Sequence, residues 1–318
     1  MIKDYTIFLN GVDDNKRKFH YSLNSDTPQD VIIKVYDTFF NFVCYENSTN
    51  LIPKVNYWIY VPSDDKYKYV EFIDANTFQT VGLFGLGGTI DFNSVLNDMP
   101  NNEYIRNILK TENDKQNISF IFNEIFISKT YNNDFVCVAE NDIVIDIGFN
   151  YGLFTLDSLT YKPKKIIGFE PNPKLVKLFN QLNIDSVELH NVAVSDKKGK
   201  VIFYQGKNTG MSSIIPELSY NYDIEASYEV NVYSFNDIIE QYNIINYLKV
   251  DCEGSEYEIF NSIPNNILKT KIKKIVLEFH HNVNDIKVVN LISKIKECGF
   301  EIKIDDFDTQ GMLYAKKL

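Results

Sequence analysis

A short apolar strand followed by a glycine turn limits most strongly what this chain can fold into. The segment runs from Ile143 to Gly152, with Asp146 near the end of the strand, Gly148 in the turn and an apolar helix starting after Gly152. Glycines allow backbone conformations and close contacts that a Cβ would prevent. A strand, a tight turn and a helix N-terminus in this order are typical of α/β sheets that bind ligands at the carboxyl ends of their strands.

Apolar strands alternate with helical segments from residue 142 onward. Strands are predicted at residues 165–169, 187–189, 201–204, 228–233, 247–250 and 275–277, and a terminal hairpin at residues 300–304 and 312–315. Such alternation predicts a mostly parallel sheet with helices on its faces. We therefore expect an α/β domain over residues 142–318.

The first 90 residues have a different pattern. Short apolar strands at residues 30–36, 39–45, 55–61, 69–73 and 78–84 are separated by turn signals, which predicts a small antiparallel β-sandwich domain over residues 1–90. Trp58 and its neighbouring tyrosines could stack on a sugar or fill the core of the sandwich. Residues 91–141 are predicted to be a helical connector, with helices near residues 103–109 and 120–131.

Composition and charge exclude several classes of protein. The 318 residues carry a net charge of −11, which argues against general nucleic-acid binding. No apolar run reaches the roughly 18 residues that a membrane span needs, and the N-terminal residues lack a secretion-signal pattern, so we expect a cytoplasmic protein. The four cysteines have no metal-ligand spacing, and we expect them to be reduced.

Polar residues recur where the predicted strands end, and a parallel sheet would gather them on one edge; they are Asp146, Glu170, Asn191, Asp251 and Glu278. Glu170 lies about 20 residues beyond the glycine turn, a spacing at which an acid accepts hydrogen bonds from ribose hydroxyls. A nicotinamide cofactor is the first alternative, but the turn lacks G-x-G-x-x-G. The acid before Gly148 would repel a pyrophosphate, and it favours a ligand with an ammonium group and no phosphate, such as S-adenosylmethionine.

Four ordered motifs resemble the FkbM family of S-adenosylmethionine-dependent methyltransferases. They are residues 146–152, 169–172, 191–195 and 249–256, and the resemblance covers about residues 120 to 280. It implies a Rossmann-like class I methyltransferase fold and O-methylation, often of sugars or other hydroxylated metabolites. Phe149 departs from the alanine that is usual in the family's turn.

The resemblance also implies a set of site residues. The expected cofactor-binding residues are Asp146, Gly148, Asn150, Gly152, Thr155, Glu170, Asn172, Asn191, Ala193 and Asp251. Within this set, Glu170 would hold the ribose hydroxyls, and Asn191 and Ala193 would lie near the adenine. The acids Asp251, Glu253 and Glu256 would lie where methyl donor and acceptor meet.

Methyl transfer to a hydroxyl requires alignment of the reactants and a base that takes the proton. The candidate bases are Asp251, Glu253 and His280, while Glu256 could orient a neighbour. His280 has an ordinary pKa near neutrality, although it could equally cap a helix or loop. Three close carboxylates could instead hold Mg²⁺, but we do not favour a metal site.

The sequence as a whole favours a cytoplasmic S-adenosylmethionine-dependent O-methyltransferase. Its substrate would be a hydroxyl of a sugar, glycan or related metabolite, methylated by direct displacement with a carboxylate or histidine base. The alternative is a glycan-binding or scaffolding protein with a non-catalytic methyltransferase fold. Neither nucleic acid nor a membrane span is expected, and no oligomeric state is predicted.

Overall fold

The computed structural model describes eight strands within residues 6–89, then residues 101–111, 118, 121–206, 212–214, 224–306 and 310–317. From Asn101 onward it also describes most side chains of these ranges. The chain divides into two compact units, residues 1–128 and 129–318. None of the helices in the described ranges combines the length and apolar character needed to cross a bilayer.

The first unit contains two antiparallel sheets. Its strands are β1 (Thr6–Asp13), β2 (Lys18–Asn24), β3 (Gln29–Asp37), β4 (Phe42–Leu51), β5 (Asn56–Tyr60), β6 (Tyr67–Asp74), β7 (Thr80–Gly85) and β8 (Gly88–Thr89). One sheet has the order β1-β2-β5 and the other β4-β3-β6-β7-β8. The antiparallel strands agree with the predicted pattern, whereas the packing of the sheets into a sandwich stays a prediction. The proposed role of Trp58 concerns a side chain outside the described set.

The predicted connector is less helical than its pattern indicated. Helix α1 (Asn102–Thr111) matches the first predicted helix, but the continuous helix expected over residues 120–131 is wrong: a π-helical turn, Asn123–Ile127, occupies its centre. An irregular segment follows, in which the side-chain oxygen of Asn133 accepts hydrogen bonds from the backbone of Phe135 and Val136. Asparagine competes with helical hydrogen bonds in this way.

The second unit is built on a seven-stranded sheet, which confirms the α/β class. Its strands are β9 (Ile143–Ile147), β10 (Lys165–Phe169), β11 (Val187–His190), β15 (Ile245–Val250), β16 (Ile272–Phe279), β17 (Phe300–Asp306) and β18 (Gly311–Lys317). Their order is β11-β10-β9-β15-β16-β18-β17. The first five strands in this order run parallel, and β18 is antiparallel to both β16 and β17, as the predicted hairpin requires.

Helices and a small second sheet complete this unit. The helices are α2 (Leu153–Leu159), α3 (Pro173–Asn180), α4 (Phe235–Glu240), α5 (Glu256–Ser262), α6 (Asn265–Lys271) and α7 (Ile286–Glu297). Strands β12 (Ala193–Ser195), β13 (Gly199–Gly206) and β14 (Ile224–Ser234) form the small sheet, in which β14 is central. The central strands of the main sheet are mostly apolar, as is typical of buried parallel strands; Ile145, Leu248 and Ile275 are fully buried.

Strand order places a topological switch point between β9 and β15. The chain proceeds from β9 outward to β10 and β11, and then returns to the other side of β9 as β15 and β16. Ligands of open α/β sheets bind in the crevice that such a reversal leaves at the carboxyl ends of the strands. Here the crevice lies between Gly148, after β9, and Asp251, after β15.

The two sides of this crevice approach each other so closely that Gly148 is required. Its φ is +82°, in the left-handed region, and a Cβ added there would lie 1.6 Å from the carbonyl oxygen of Asp251. The amides of Gly148 and Phe149 both donate to the carbonyl of Phe169, which ties the turn to β10. The glycine therefore sets how near the turn and β15 can lie.

We expect Gly148→Ala to lower the free energy of unfolding by about 3 kcal/mol, because strain at positive φ adds to a clash with backbone. Urea denaturation measures this loss. Gly199→Ala is the matched control, since nothing lies within 4 Å of a Cβ at Gly199 and its φ is not positive. Equal stability of the two variants would contradict the argument.

Candidate active site

The end of β9 carries a fully buried carboxylate. Asp146 Oδ2 accepts a hydrogen bond from Thr155 Oγ1 in α2 at 3.1 Å, and Lys249 Nζ lies 3.2 Å from Asp146 Oδ1. Burial raises the pKa of Asp146, and the charge of Lys249 opposes that rise. Thr155 is as fully buried as Asp146 and supports its carboxylate, and a contact of Thr155 with the cofactor stays a prediction.

Lys249 connects both sides of the crevice and was missed by the sequence reasoning. Its Nζ donates to the carbonyl of Gly148 at 2.7 Å and lies 3.4 Å from Asp251 Oδ2. Burial alone would lower the pKa of Lys249, but the charges of Asp146 and Asp251 raise it, so the ammonium group stays charged. A signal was present in the sequence: a lysine within the apolar run of a buried strand must find a charged partner.

Asp251 is held by several donors at the end of β15. Tyr131 Oη donates to its Oδ2 at 2.8 Å, the Glu278 carboxyl hydrogen-bonds to it, and Lys249 forms the ion pair already described. Burial alone would raise the pKa of Asp251, yet Lys249 and these hydrogen bonds lower it overall. Asp251 is therefore an ionised carboxylate whose acceptor positions are largely used within the protein.

Tyr131 was also missed, because no motif surrounds it and it precedes the first strand of the sheet. Its ring lies 5.2 Å from Lys249 Nζ and packs edge-on against Phe154, with the ring centroids 5.6 Å apart. The hydroxyl of Tyr247 donates to the carbonyl of Tyr131. Nearby, Asp157 in α2 accepts hydrogen bonds from Lys129 and Asn132, which fixes the segment that carries Tyr131.

Glu170 lies at the end of β10, as predicted, and links the glycine turn to α3. Its Oε2 accepts from the amide of Asn150 and its Oε1 from the amide of Asn172, both at 2.8 Å. Burial raises the pKa of Glu170 to about 7 despite these hydrogen bonds. Each oxygen has a second acceptor position, so the geometry suits the paired hydroxyls of a ribose.

The remaining predicted cofactor residues have distinct places. Asn172 caps α3 by accepting from the amide of Lys174 at 3.0 Å. Asn191 donates to the carbonyls of Glu170 and Pro171, both at 2.9 Å, so it supports the Glu170 loop. Ala193 is buried in the core of the small sheet, together with Phe203, Val230 and Val232. Whether any of these residues touches a cofactor stays a prediction.

Phe149 is accommodated by two residues that lack a Cβ. Its ring packs edge-on against Phe179, with centroids 4.7 Å apart, and it is 2% exposed. A Cβ at Gly152 or Gly168 would lie 2.5 Å or less from ring atoms of Phe149. The side chain thus points into the core between β10 and α3, and Gly152, with φ +76°, also begins α2.

His280 lies between two carboxylates in the loop after β16. Its Nε2 is 3.0 Å from Glu253 Oε2 and its Nδ1 is 3.1 Å from Glu256 Oε1. Burial alone would lower the pKa of His280, but the two carboxylates raise it well above its usual value. His280 is accordingly a protonated imidazolium, whose two N–H groups donate to Glu253 and Glu256.

The two acids beside His280 differ in their surroundings. Glu256 is fully buried at the start of α5 and accepts from the amides of Gly254 and His280, so it orients its neighbours. Glu253 has a φ of +54°, and its side chain is 25% exposed. Burial raises the pKa of Glu253, although its pairing with His280 opposes the rise. In the part of the chain described, no group of three or more His, Cys, Asp or Glu residues could hold a metal ion.

The pKa of Glu170 predicts a specific dependence of stability on pH. A folded-state value of about 7, above the ordinary 4.5, means that the folded protein binds this proton more tightly than the unfolded chain. The contribution of this bound proton to the free energy of unfolding is fully present below pH 4.5 and is lost as pH rises to about 7. We expect the free energy of unfolding of the wild type, relative to Glu170→Gln, to fall by about 3 kcal/mol between pH 4.5 and pH 8. Urea titrations at both pH values test this, and a constant difference would contradict it.

Comparison with known proteins gives one curated relative and several solved structures. The antimetabolite synthetase AmbE of Pseudomonas aeruginosa is 21% identical over 230 residues, which are 58% of this chain and 11% of AmbE. An rRNA methylase from Streptococcus thermophilus has a TM-score of 0.35 and 11% identity, covering 57% of this chain and 90% of its own. Fibrillarin from Aeropyrum pernix, solved with S-adenosyl-L-methionine, has a TM-score of 0.31 and 14% identity, and the match covers 56% of this chain and 67% of the fibrillarin chain. Scores this low carry no argument about substrate.

The family comparison is more specific. Residues 146–302 match the family model described as the methyltransferase FkbM domain. This range begins at Asp146 and contains the glycine turn, Glu170, Lys249 and the cluster from Asp251 to His280. Residues 146–302 are therefore identified as a methyltransferase FkbM domain.

Proposed function

We propose that the protein is an S-adenosylmethionine-dependent O-methyltransferase that acts on a hydroxyl of a sugar, glycan or related metabolite. The observation that carries the proposal is the pairing of Glu253 with His280 beside Asp251, at the switch point of a methyltransferase FkbM domain. A methyltransferase that modifies a hydroxyl needs a cofactor pocket and an adjacent proton acceptor. The described residues offer groups suited to both.

The cofactor side would use the turn after β9 and the end of β10. Gly148 and Gly152 have positive φ and give this turn its path, and the Glu170 oxygens have acceptor positions left for ribose hydroxyls. Asn172 and Asn191 would hold the loop around Glu170, and Asp251 would face the methyl donor. Bound S-adenosylmethionine would supply a methyl group on a positively charged sulfur, ready for in-line displacement.

Glu253 is the proton acceptor that best fits its surroundings. Its side chain is partly exposed, and its raised pKa brings its basicity closer to the working pH than that of an ordinary glutamate. As the acceptor oxygen bonds to the methyl carbon and the carbon–sulfur bond breaks, the hydroxyl proton would pass to a carboxylate oxygen of Glu253. His280 would stabilise Glu253 as a charged hydrogen-bond donor, and Glu256 would hold His280 in place.

The other two candidate bases fit less well. Asp251 has a lowered pKa and gives its acceptor positions to Tyr131, Glu278 and Lys249, so it is a weak proton acceptor. His280 is already protonated and both of its ring nitrogens are engaged. A role for His280 as the base would require it first to lose a proton between two carboxylates.

The substrate class rests on the family resemblance and on charge. FkbM-like methyltransferases often modify hydroxylated metabolites, and a net charge of −11 opposes binding to a nucleic-acid backbone. We therefore expect a sugar, glycan or other small hydroxylated acceptor rather than RNA or DNA. A cytoplasmic location agrees with the use of S-adenosylmethionine.

Calorimetric titration of the full chain with S-adenosylmethionine is the first test, and we expect saturable binding. Incubation with labelled S-adenosylmethionine and pools of nucleotide sugars, glycans or RNA should then transfer label to a sugar or glycan. Mass spectrometry identifies the methylated product. Absence of cofactor binding, or transfer to RNA alone, would contradict the proposal.

Replacement of Glu253 by Gln should lower kcat about 100-fold while leaving the Kd for S-adenosylmethionine unchanged, because it removes the proton acceptor but not the cofactor contacts. Glu229→Gln is the matched control, since Glu229 is an exposed residue of β14 that pairs with Lys200 on the surface. An unchanged kcat for Glu253→Gln would remove Glu253 from the catalytic role.

A further inference from the structure

Lys249 is a buried lysine to which the proposed reaction assigns no role. It lies in β15, and its ammonium group contacts the Gly148 carbonyl at 2.7 Å, Asp146 Oδ1 at 3.2 Å and Asp251 Oδ2 at 3.4 Å. The rings of Tyr131 and Phe154 lie 5.2 Å and 5.9 Å from it. One cation is thus shared between the cofactor turn and the end of β15.

The two carboxylates around Lys249 depend on it to different degrees. Asp146 is fully buried: Thr155 donates a hydrogen bond to its Oδ2, and Lys249 forms an ion pair with its Oδ1. A buried carboxylate in such surroundings keeps its charge only if a cation is adjacent. Asp251 is stabilised additionally by Tyr131 and Glu278, and its side chain is 23% exposed. The natural partner of Lys249 is therefore Asp146, and the two form an internally neutral pair.

We propose that Lys249 is a positioning residue that neutralises Asp146 and fixes the Gly148 carbonyl, so that Asp251 carries the negative charge by which the site distinguishes the positively charged methyl donor from its uncharged product. This inference rests on the proposed use of S-adenosylmethionine. It reverses the expectation from sequence that the acid before Gly148 provides the free negative charge of the pocket.

The effect of the Asp251 charge can be measured as the ratio of the dissociation constants of S-adenosylmethionine and S-adenosylhomocysteine. S-adenosylmethionine and S-adenosylhomocysteine share their adenosine and amino-acid parts, and they differ by one methyl group and the positive charge on sulfur. A substitution that only disturbs the pocket or the ribose contacts weakens both ligands alike. A substitution that removes a carboxylate facing the sulfur weakens the charged donor selectively.

Calorimetric titration of both ligands into full-length variants is the experiment. We expect Asp251→Asn to reduce the preference for S-adenosylmethionine over S-adenosylhomocysteine roughly fivefold or more, compared with the wild type. We expect the double variant Asp146→Asn with Lys249→Gln to keep the wild-type ratio, even if both affinities fall, because it removes one negative and one positive charge. The glutamine retains an N–H group that could serve the Gly148 carbonyl.

Thermal unfolding gives a second readout of the pair. Lys249→Gln alone should lower the Tm more than the double variant does, because it leaves Asp146 without a cation. The matched control is the pair Asp142→Asn with Lys274→Met: Lys274 likewise contacts an aspartate and a carbonyl, both at 2.8 Å, at the opposite end of the strands. Both dissociation constants should be unaffected in this control.

The possible outcomes separate the two proposals. If neither ligand binds the wild type, the proposed function itself fails. If both bind but Asp251→Asn keeps the wild-type ratio, or the Asp146 and Lys249 double variant changes it, the role given to Lys249 is overturned. Should Asp251→Asn not fold, the double variant still decides, because a changed ratio there would place the discriminating charge on Asp146 and Lys249.

Discussion

One buried cation holds together the two halves of the site. Lys249 reaches from β15 to the carbonyl of Gly148 and to Asp146, while the Cα of Gly148 lies against the carbonyl of Asp251. A buried ion pair that loses one partner costs roughly 3–5 kcal/mol, because the other charge stays in a low-dielectric interior. The spacing between the glycine turn and Asp251 therefore depends on a side chain that need not touch any ligand.

The cluster of Glu253, Glu256 and His280 also depends on the pairing of buried charges, and here the pairing sets the role of the histidine. Glu256 is fully buried and anchors His280, and His280 in turn donates to the more exposed Glu253. Two carboxylates beside the His280 imidazole raise its pKa and keep it protonated. His280, a candidate base from the sequence, is therefore a hydrogen-bond donor. The acid at the exposed end is then left as the group able to receive a proton.

Much of the fold followed from local patterns. The parallel strands, the terminal hairpin and the ordered motifs were readable because apolar runs, glycine turns and strand-end acids are local features. One failure was also local in origin, whereas another was not. The helix expected over residues 120–131 was apolar at helical spacing, but the side chain of Asn133 bonds to nearby backbone and the chain turns irregularly. Strands 201–204 and 228–233 were found, but they pair in a small sheet with β12, which only long-range pairing decides.

The sequence by itself determined the class of fold, the resemblance to the FkbM methyltransferases and the identity of most polar groups in the site, because these depend on residue type and spacing. It also gave the proximity of Glu253, Glu256 and His280, since parallel strands end on one edge. Only the tertiary structure decided the charge of each group. Whether Asp146 is free, whether His280 is protonated and whether Asp251 can accept a proton depend on burial and on Lys249 and Tyr131. Those contacts span 100 or more positions in the chain for Lys249 with Asp146 and Tyr131 with Asp251, and no local pattern encodes them.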